Sequence, residues 1–456
     1  MRVTYLFFLL VWTNVIYCQT KVSHQYLIHD ITIIDVQNGN LLPHRSIGID
    51  NDRITEIYKH DVLPSAATSL INGKGKYLIP GLWDMHVHYY WHYKTSTHLL
   101  IANGVVGVRE MFGDITEVKK IRELIEIDSL VCPEIISSGA MIDGDQPTSG
   151  AECAKDSISA IEIVDRQYNE GVDFLKIHDG GIKFDVYNII AKRANQYNIP
   201  FAGHVPINNS VWNVIEMGQK SIEHNIGILE ATADSLIQFY INTQSNLQNR
   251  GLSLEKIWNY SMDNHNENMF ETLITKLANS DTWLCPTMVA MEGGAYQFED
   301  SIKNDYREKY LTNYLKECKN TVNDTGLVMA CRRKYLFDLS HLKEMIDGGV
   351  KFLAGTDFAC VHVYPGFSIH DELYIFNKAG FTPLQALQTA TLNPAIFLNK
   401  LNDYGTIEKN KIASLVILNS NPLQDIRNTK DIDAVLLKGN YYNMTRIENL
   451  LNIPLN

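Results

Sequence analysis

The chain lacks several features that would have placed it quickly. Its seven cysteines, at 18, 132, 153, 285, 318, 331 and 360, include no C-x-x-C pair, so the spacing of a thiolate metal knuckle or dithiol redox motif is missing. Lys and Arg together number 40 against 52 Asp and Glu, a formal net charge of −12. No basic stripe is present to neutralise phosphates, which disfavours a nucleic-acid partner. There is no low-complexity run and no repeat period. The one marked apolar run, Tyr5 to Trp12, is interrupted by Thr13 and Asn14, well short of the roughly 20 residues a spanning helix needs.

What remains is a globular composition, 45% hydrophobic and 20% charged, long enough for one large domain or two to three smaller ones. Arg2 ahead of that apolar run reads as a secretory signal peptide over residues 1–18, cleaved before Gln19, with lipid anchoring at Cys18 as the alternative. The expectation is therefore a secreted or periplasmic protein with no transmembrane span after signal removal. An oxidising compartment permits disulfides such as Cys132–Cys153 or Cys318–Cys331, though spacing does not assign connectivity. Sequons at Asn208, Asn259, Asn323 and Asn443 matter only where the source glycosylates exported proteins.

The rhythm of the chain changes twice. Residues 24–78 alternate in short β segments with an Asn38-Gly39-Asn40 turn, predicting a small antiparallel sheet. From 79 each strand is followed by a helix. Strands are expected at 79–88, 104–109, 132–139, 172–177, 200–204, 221–224, 283–287 and 350–357. One helix should carry Ile158, Ile161, Val164 and Tyr168 on a single face, and another Phe184, Tyr187, Ala191 and Ala194. Thr382-Pro383-Leu384-Gln385 predicts a capped helix start. Eight strand–helix steps fit a (β/α)₈ TIM barrel over 79–404, with a polar helical insertion at about 229–281. The β pattern returns at 413–418 and 433–437, so segments 19–78 and 405–456 are expected to form one composite β-sandwich domain.

Ile79-Pro80-Gly81-Leu82-Trp83-Asp84-Met85-His86-Val87-His88 is the central segment. On a strand, residues i and i+2 face the same way, so His86 and His88 present two imidazoles to one side, half of a metal site. Active sites of such barrels lie at the C-terminal strand ends, where the chain also places Lys176, His204, His224 and Asp357. A lone strand-end histidine is ordinarily structural. A lysine inside Phe-Leu-Lys-Ile-His is odder, because an apolar strand penalises an unpaired ammonium. Six such residues at matching strand ends point to a metal centre.

Taken together, Pro-Gly-Leu-Trp-Asp-Met-His-Val-His, Gly-Val-Asp-Phe-Leu-Lys-Ile, Ala-Gly-His204-Val-Pro, Ser-Ile-Glu-His224 and Leu-Ala-Gly-Thr-Asp357 resemble the amidohydrolase superfamily. Within it, the pattern is similar to the branch of imidazolonepropionase-like and prolidase-like enzymes with two metals. The similarity extends to Tyr404-Gly405-Thr406-Ile407-Glu408 and the segment around Asn421. The resemblance implies that His86, His88 and Asp357 hold one divalent ion and His204 and His224 the other. Lys176, N6-carboxylated, would bridge them. It also implies a bridging hydroxide, with Asp357 as catalytic proton shuttle. Zinc suits these ligands, and manganese or cobalt would also fit.

Glu110, Phe358-Ala359 and Ser414 depart from the family pattern, which affects the pocket rather than the ligands. His178, His362 and Tyr364 are candidate substrate contacts. The expected activity is hydrolysis of a C–N bond in a small molecule, an Xaa-Pro-like dipeptide or an N-acyl amino acid. A cyclic amide hydrolase or lactonase is the alternative within enzymes, and a non-catalytic metal-binding relative the alternative outside them. A homo-oligomer is compatible with the composition.

Overall fold

The computed structural model describes residues 23–453 except 60–65, 128–129, 146, 179, 207, 234–249, 314–315 and 317–323. The expected signal peptide, Cys18 and Cys318 lie outside the described residues. No helix among them is long and apolar enough to cross a membrane.

The first strands are β1 (Ser23–Ile34), β2 (Leu41–Asp50), β3 (Arg53–Lys59), β4 (Ala66–Asn72) and β5 (Tyr77–Pro80). β1, β2 and β3 form an antiparallel meander, as the Asn/Gly turns predict. The sheet is nonetheless mixed. The first half of β1 pairs parallel with β4, and its second half pairs parallel with β5. Parallel neighbours need connections longer than a tight turn, which the alternation of short strands did not reveal.

β15 (Leu415–Leu418), β16 (Ile432–Leu437) and β17 (Asn440–Asn443) come from the other end of the chain. β15 lies antiparallel to β5, Leu415 opposite Pro80 and Ile417 opposite Leu78. Both chain ends thus share one eight-stranded sheet, ordered β17-β16-β15-β5-β1-β2-β3 with β4 on β1. It has its own core, in which Ile28, Ile47, Ile54 and Leu78 from one end meet Leu415, Ile417 and Leu436 from the other. Ser414, one of the departures from the family pattern, joins this sheet to the barrel, its carbonyl accepting from Gly81 N at 2.9 Å and its hydroxyl from Lys438 N at 3.1 Å.

Between the two ends, β6 (Leu82–Val87), β7 (Val105–Glu110) and β8 (Glu134–Ser137) form one parallel arc. β9 (Ile142–Asp143), β10 (Glu152–Cys153), β11 (Leu175–Ile177), β12 (Phe201–Gly203), β13 (Ser221–Glu223) and β14 (Trp283–Cys285) form another. Parallel bridges join the arcs into a ring: Ser138 to Phe174, Leu284 to Phe352, and Val87 to Phe358. The eighth position, 350–358, is held by these bridges and by backbone bonds such as Met85 N to Ala354 O at 2.9 Å and Asp357 N to His86 O at 2.8 Å. This is the TIM-barrel architecture with an added sheet domain. Its buried strands read as near-continuous apolar runs because helices cover them outside and side chains fill the interior.

The helices follow local chemistry. Ser157–Glu170 begins at a capping box of Asp156 and Ser159 and stops at Gly171 in the left-handed region. Pro383–Thr389 begins at the predicted Thr382/Gln385 box. The buried face of Ser157–Glu170 differs from the expected one. Ala160, Ile163, Val164 and Gln167 are buried, whereas Ile158 is 70% exposed and Tyr168 stacks on Tyr197 at the surface. In the following helix, Phe184–Tyr197, residues Tyr187, Ala191 and Ala194 are buried as expected and Phe184 is exposed. Cys132 and Cys153 are both free thiols, so the Cys132–Cys153 bridge is not formed. Cys132 instead lies 2.8 Å from the Tyr89 hydroxyl.

Candidate metal centre

The strand ends bring the expected residues to one place. His86 belongs to β6 and Lys176 to β11, while His204 and His224 follow β12 and β13 by one residue. Ring centroids of His86 and His224 lie 4.6 Å apart, His204 and His224 5.0 Å, and His86 and His88 5.5 Å. Nε2 of both His86 and His88 lies 3.2 Å from Asp357 Oδ1. His86, His224 and Asp357 offer ligand atoms all within 4.8 Å of one another.

The backbone has been bent to achieve this. His224 and Asp357 sit at φ +60° and +59°, in the left-handed region that non-glycine residues rarely adopt. Strain of this kind persists where the surrounding structure over-determines it, commonly at functional sites. Glycines permit the close approaches. Gly203, at φ +136°, leaves no room for a Cβ against the Ile177 carbonyl, and a Cβ on Gly355 would lie 2.8 Å from the His86 backbone nitrogen.

The ring tautomers follow from the partners. His86 Nδ1 lies 2.7 Å from Glu223 Oε2. Burial favours a neutral Glu223, but the Arg109 guanidinium and His86 override it and hold the carboxyl well below the usual range. An ionised carboxylate only accepts, so His86 Nδ1 carries the hydrogen. His86 Nε2 faces Asp357 and has no hydrogen-bond partner among the described residues. Asp357 is itself held well below the usual carboxylate range, because His224 and His86 outweigh the effect of burial. An imidazole nitrogen left without a hydrogen bond 3.2 Å from a buried carboxylate oxygen is the kind of donor pair that a divalent cation takes.

The remaining histidines agree. Burial lowers His224 to about 3, and lowers His204 well below its ordinary value with the help of Lys176 and His178. Both rings are therefore neutral donors. His224 Nδ1 bonds Thr287 Oγ1 at 2.6 Å, which directs its other nitrogen inward. These donor types fit divalent ions of the zinc class. Lys176 is fully buried with no hydrogen bond or ion pair to a described residue, and burial lowers it to about 8.

Several supporting residues were not singled out from sequence. Arg109 donates to Met85 O at 2.6 Å, Ser221 Oγ at 2.8 Å and Glu223 Oε1 at 2.8 Å. Asp84 accepts from Thr356 N at 2.9 Å and Thr356 Oγ1 at 2.6 Å, locking the first strand to the eighth. Glu110, another departure from the family pattern, accepts from the backbone of Tyr89, Tyr90 and Phe112 and so shapes the loop after His88. The Cys360 thiol donates to Asp357 Oδ2 at 3.0 Å. The signal available for Glu223 was its place in Ser-Ile-Glu-His224.

The three candidate substrate contacts separate. His178 Nδ1 bonds Asp143 Oδ1 at 2.9 Å, and its ring lies 4.6 Å from that of His204. His362 and Tyr364 instead line a cavity of about 160 Å³ with Arg307, Asp305 and Asp371. None of the six cluster residues is among its described walls. The Tyr364 hydroxyl donates to Glu308 at 2.8 Å.

Residues 316–441 match the Amidohydrolase family model. No curated protein is significantly similar to the chain. Among solved structures, a Xaa-Pro dipeptidase with methionine bound in its active site shares 19% identity, with 92% of this chain and 99% of that one covered and a TM-score of 0.68. A bottromycin amidohydrolase shares 18%, covering 93% and 88%, at 0.73. The A. niger ochratoxinase shares 17%, covering 92% and 95%, at 0.62. Residues 316–441 thus carry the Amidohydrolase family pattern, and the fold over more than nine-tenths of the chain is similar to that of these solved structures.

Proposed function

We propose that the chain is an exported metal-dependent amidohydrolase that cleaves a C–N bond in a small molecule, an Xaa-Pro-like dipeptide or an N-acyl amino acid. The observation that carries this reading is the convergence of His86, His88, His204, His224 and Asp357 beside a buried lysine that has no hydrogen bond among the described residues. His86, His88 and Asp357 would hold one ion, His204 and His224 the other, and carboxylated Lys176 would be shared. Two such ions, zinc by preference, would supply Lewis-acid chemistry and lower the pKa of a water at the site.

The chain's own residues do the rest. Asp357, ionised and against the imidazoles, takes a proton and returns it to the leaving amine. Glu223 and Arg109 fix the ring of His86 so that its Nε2 faces inward. His178, oriented by Asp143, stands beside His204 and donates toward a substrate carbonyl. His362 and Tyr364 would contact the distal end of a substrate long enough to reach their cavity. The dipeptide class is supported by the Xaa-Pro dipeptidase among the similar folds, and export by the Arg2 and Tyr5–Trp12 pattern.

The test is a screen of the full chain, loaded with Zn²⁺ in bicarbonate, against dipeptides and N-acyl amino acids. Hydrolysis should require the metal, and Lys176→Ala should abolish it together with bound metal near two per chain. Wild-type protein that takes up no metal, or a Lys176→Ala variant with unchanged metal content, would sink the binuclear reading.

A further inference from the structure

A second cluster stands apart from the six residues of the centre. His265, Glu267 and His341 offer ligand atoms all within 4.8 Å of one another. His265 and Glu267 mark the start of helix Glu267–Ala278, and His341 lies on the long helix Thr325–Asp347.

Its hydrogen bonds define both rings. The Thr232 hydroxyl donates to the Leu229 carbonyl at 2.7 Å, so its oxygen accepts from His265 Nδ1 at 2.8 Å. His265 Nδ1 therefore carries the hydrogen and Nε2 the lone pair. That Nε2 is buried without a hydrogen-bond partner among the described residues, on a side chain only 9% exposed, 3.6 Å from Glu267 Oε2. His341 Nδ1 donates to the Phe337 carbonyl at 2.7 Å, which can only accept, and that bond orients the ring. The unpartnered His265 Nε2, the Glu267 carboxylate and the His341 ring, its centroid 5.2 Å from that of His265, therefore converge on one place. Phe270 and Phe337 wall the pair, with ring centroids 5.0 to 5.5 Å from His265. An apolar wall raises the cost of leaving such donors unsatisfied and is the usual surround of a metal site. Glu267 is exposed and has the freedom to swing inward.

We propose that His265, Glu267 and His341 form an additional site for one divalent ion of the zinc class, completed by water. The donor set of two imidazoles and a carboxylate excludes calcium and magnesium, which take mainly oxygen ligands. The site would join three parts of the chain. His265 pairs with Ala233, and Asn266 N donates to Thr232 O at 2.8 Å. Residues 225–233 run directly on from His224, so an ion here would tie the segment leaving the catalytic cluster to the long helix.

The experiment compares the full chain with His341→Ala and Glu267→Gln by zinc content after gel filtration, zinc titration, and zinc-dependent Tm. Wild type should retain about one equivalent more zinc than His341→Ala and gain a Tm increment that this variant lacks. Glu267→Gln, at an exposed position that tolerates the change, should weaken the additional equivalent about tenfold or more. In a Lys176→Ala background the additional equivalent should persist, which separates this site from the catalytic pair. Equal zinc content and equal zinc-dependent Tm in wild type and both variants would overturn the proposal.

Discussion

Arg109 and Glu223 are the residues on which the orientation of His86 depends. Both are completely buried, and Glu223 also neutralises the guanidinium. Glu223→Ala would leave a buried cation unpaired, so a loss of about 3–5 kcal/mol is expected in urea unfolding, together with weaker metal uptake. Glu372 gives a pH dependence away from the centre. Burial raises it from its ordinary 4.5 to about 8, despite bonds from Met288 N and Val289 N. The native state then keeps a proton that the unfolded chain releases, so stability falls as pH rises from about 4.5 to about 8, by at most about 1.4 kcal/mol per pH unit. Glu372→Gln should flatten that slope in urea melts at pH 5.5 and 8, and an unchanged slope would show that Glu372 is not its source. At this scale the gathering of the six residues was legible, because each stands at a strand end and the strand ends of such a barrel meet at one face. Arg109, Glu223 and Asp143 were not, because their partners lie far along the chain, 114 residues apart for Arg109 and Glu223.

At the scale of elements, the eighth segment is held against the first by side chains as much as by ladder bonds. Asp84 grips Thr356, and Gly355 lets the two backbones approach. Gly355→Ala would place a Cβ 2.5 Å from Cys285 Sγ and 2.8 Å from His86 N. Overpacking of this kind costs about 1–3 kcal/mol, and it should lower metal affinity more than a surface variant of equal instability. Titration of metal into both variants checks this. The helix Ser157–Glu170 shows why element faces were less legible than element positions. Ile158, Ile161 and Tyr168 are apolar, but Ala160 and Gln167 face inward because the neighbouring backbone admits only what fits there. Gln167 Nε2 reaches the Ala140 carbonyl at 2.9 Å, a bond that no hydrophobic pattern encodes.

Across the whole molecule, the two chain ends stabilise the barrel jointly. β15 covers the edge of β5, and β5 leads directly into β6 and His86. Removing residues 405–456 would expose Leu78 and Ile79 and delete Leu415, Ile417 and Leu436 from the second core. Loss of several buried aliphatic side chains at about 1.5–3 kcal/mol each exceeds the margin of a typical domain. The truncated chain is therefore expected to lack a cooperative thermal transition by calorimetry. A truncation that melts like the full chain would mean that the barrel stands alone.

The sequence by itself determined the alternation of strands and helices, the return of β structure at the end, and the placing of imidazole, lysine and carboxylate side chains at strand ends. These depend on periodicity and on which side chains have the required chemistry, both properties of short stretches. The tertiary structure alone decided that the terminal sheet is mixed, that Cys132 bonds Tyr89 rather than Cys153, and that His362 and Tyr364 line a separate cavity. It also decided the left-handed backbone of His224 and Asp357 and the tautomer of His86. Each of these follows from contacts between residues distant in sequence, where the partner, and not the residue, sets the outcome.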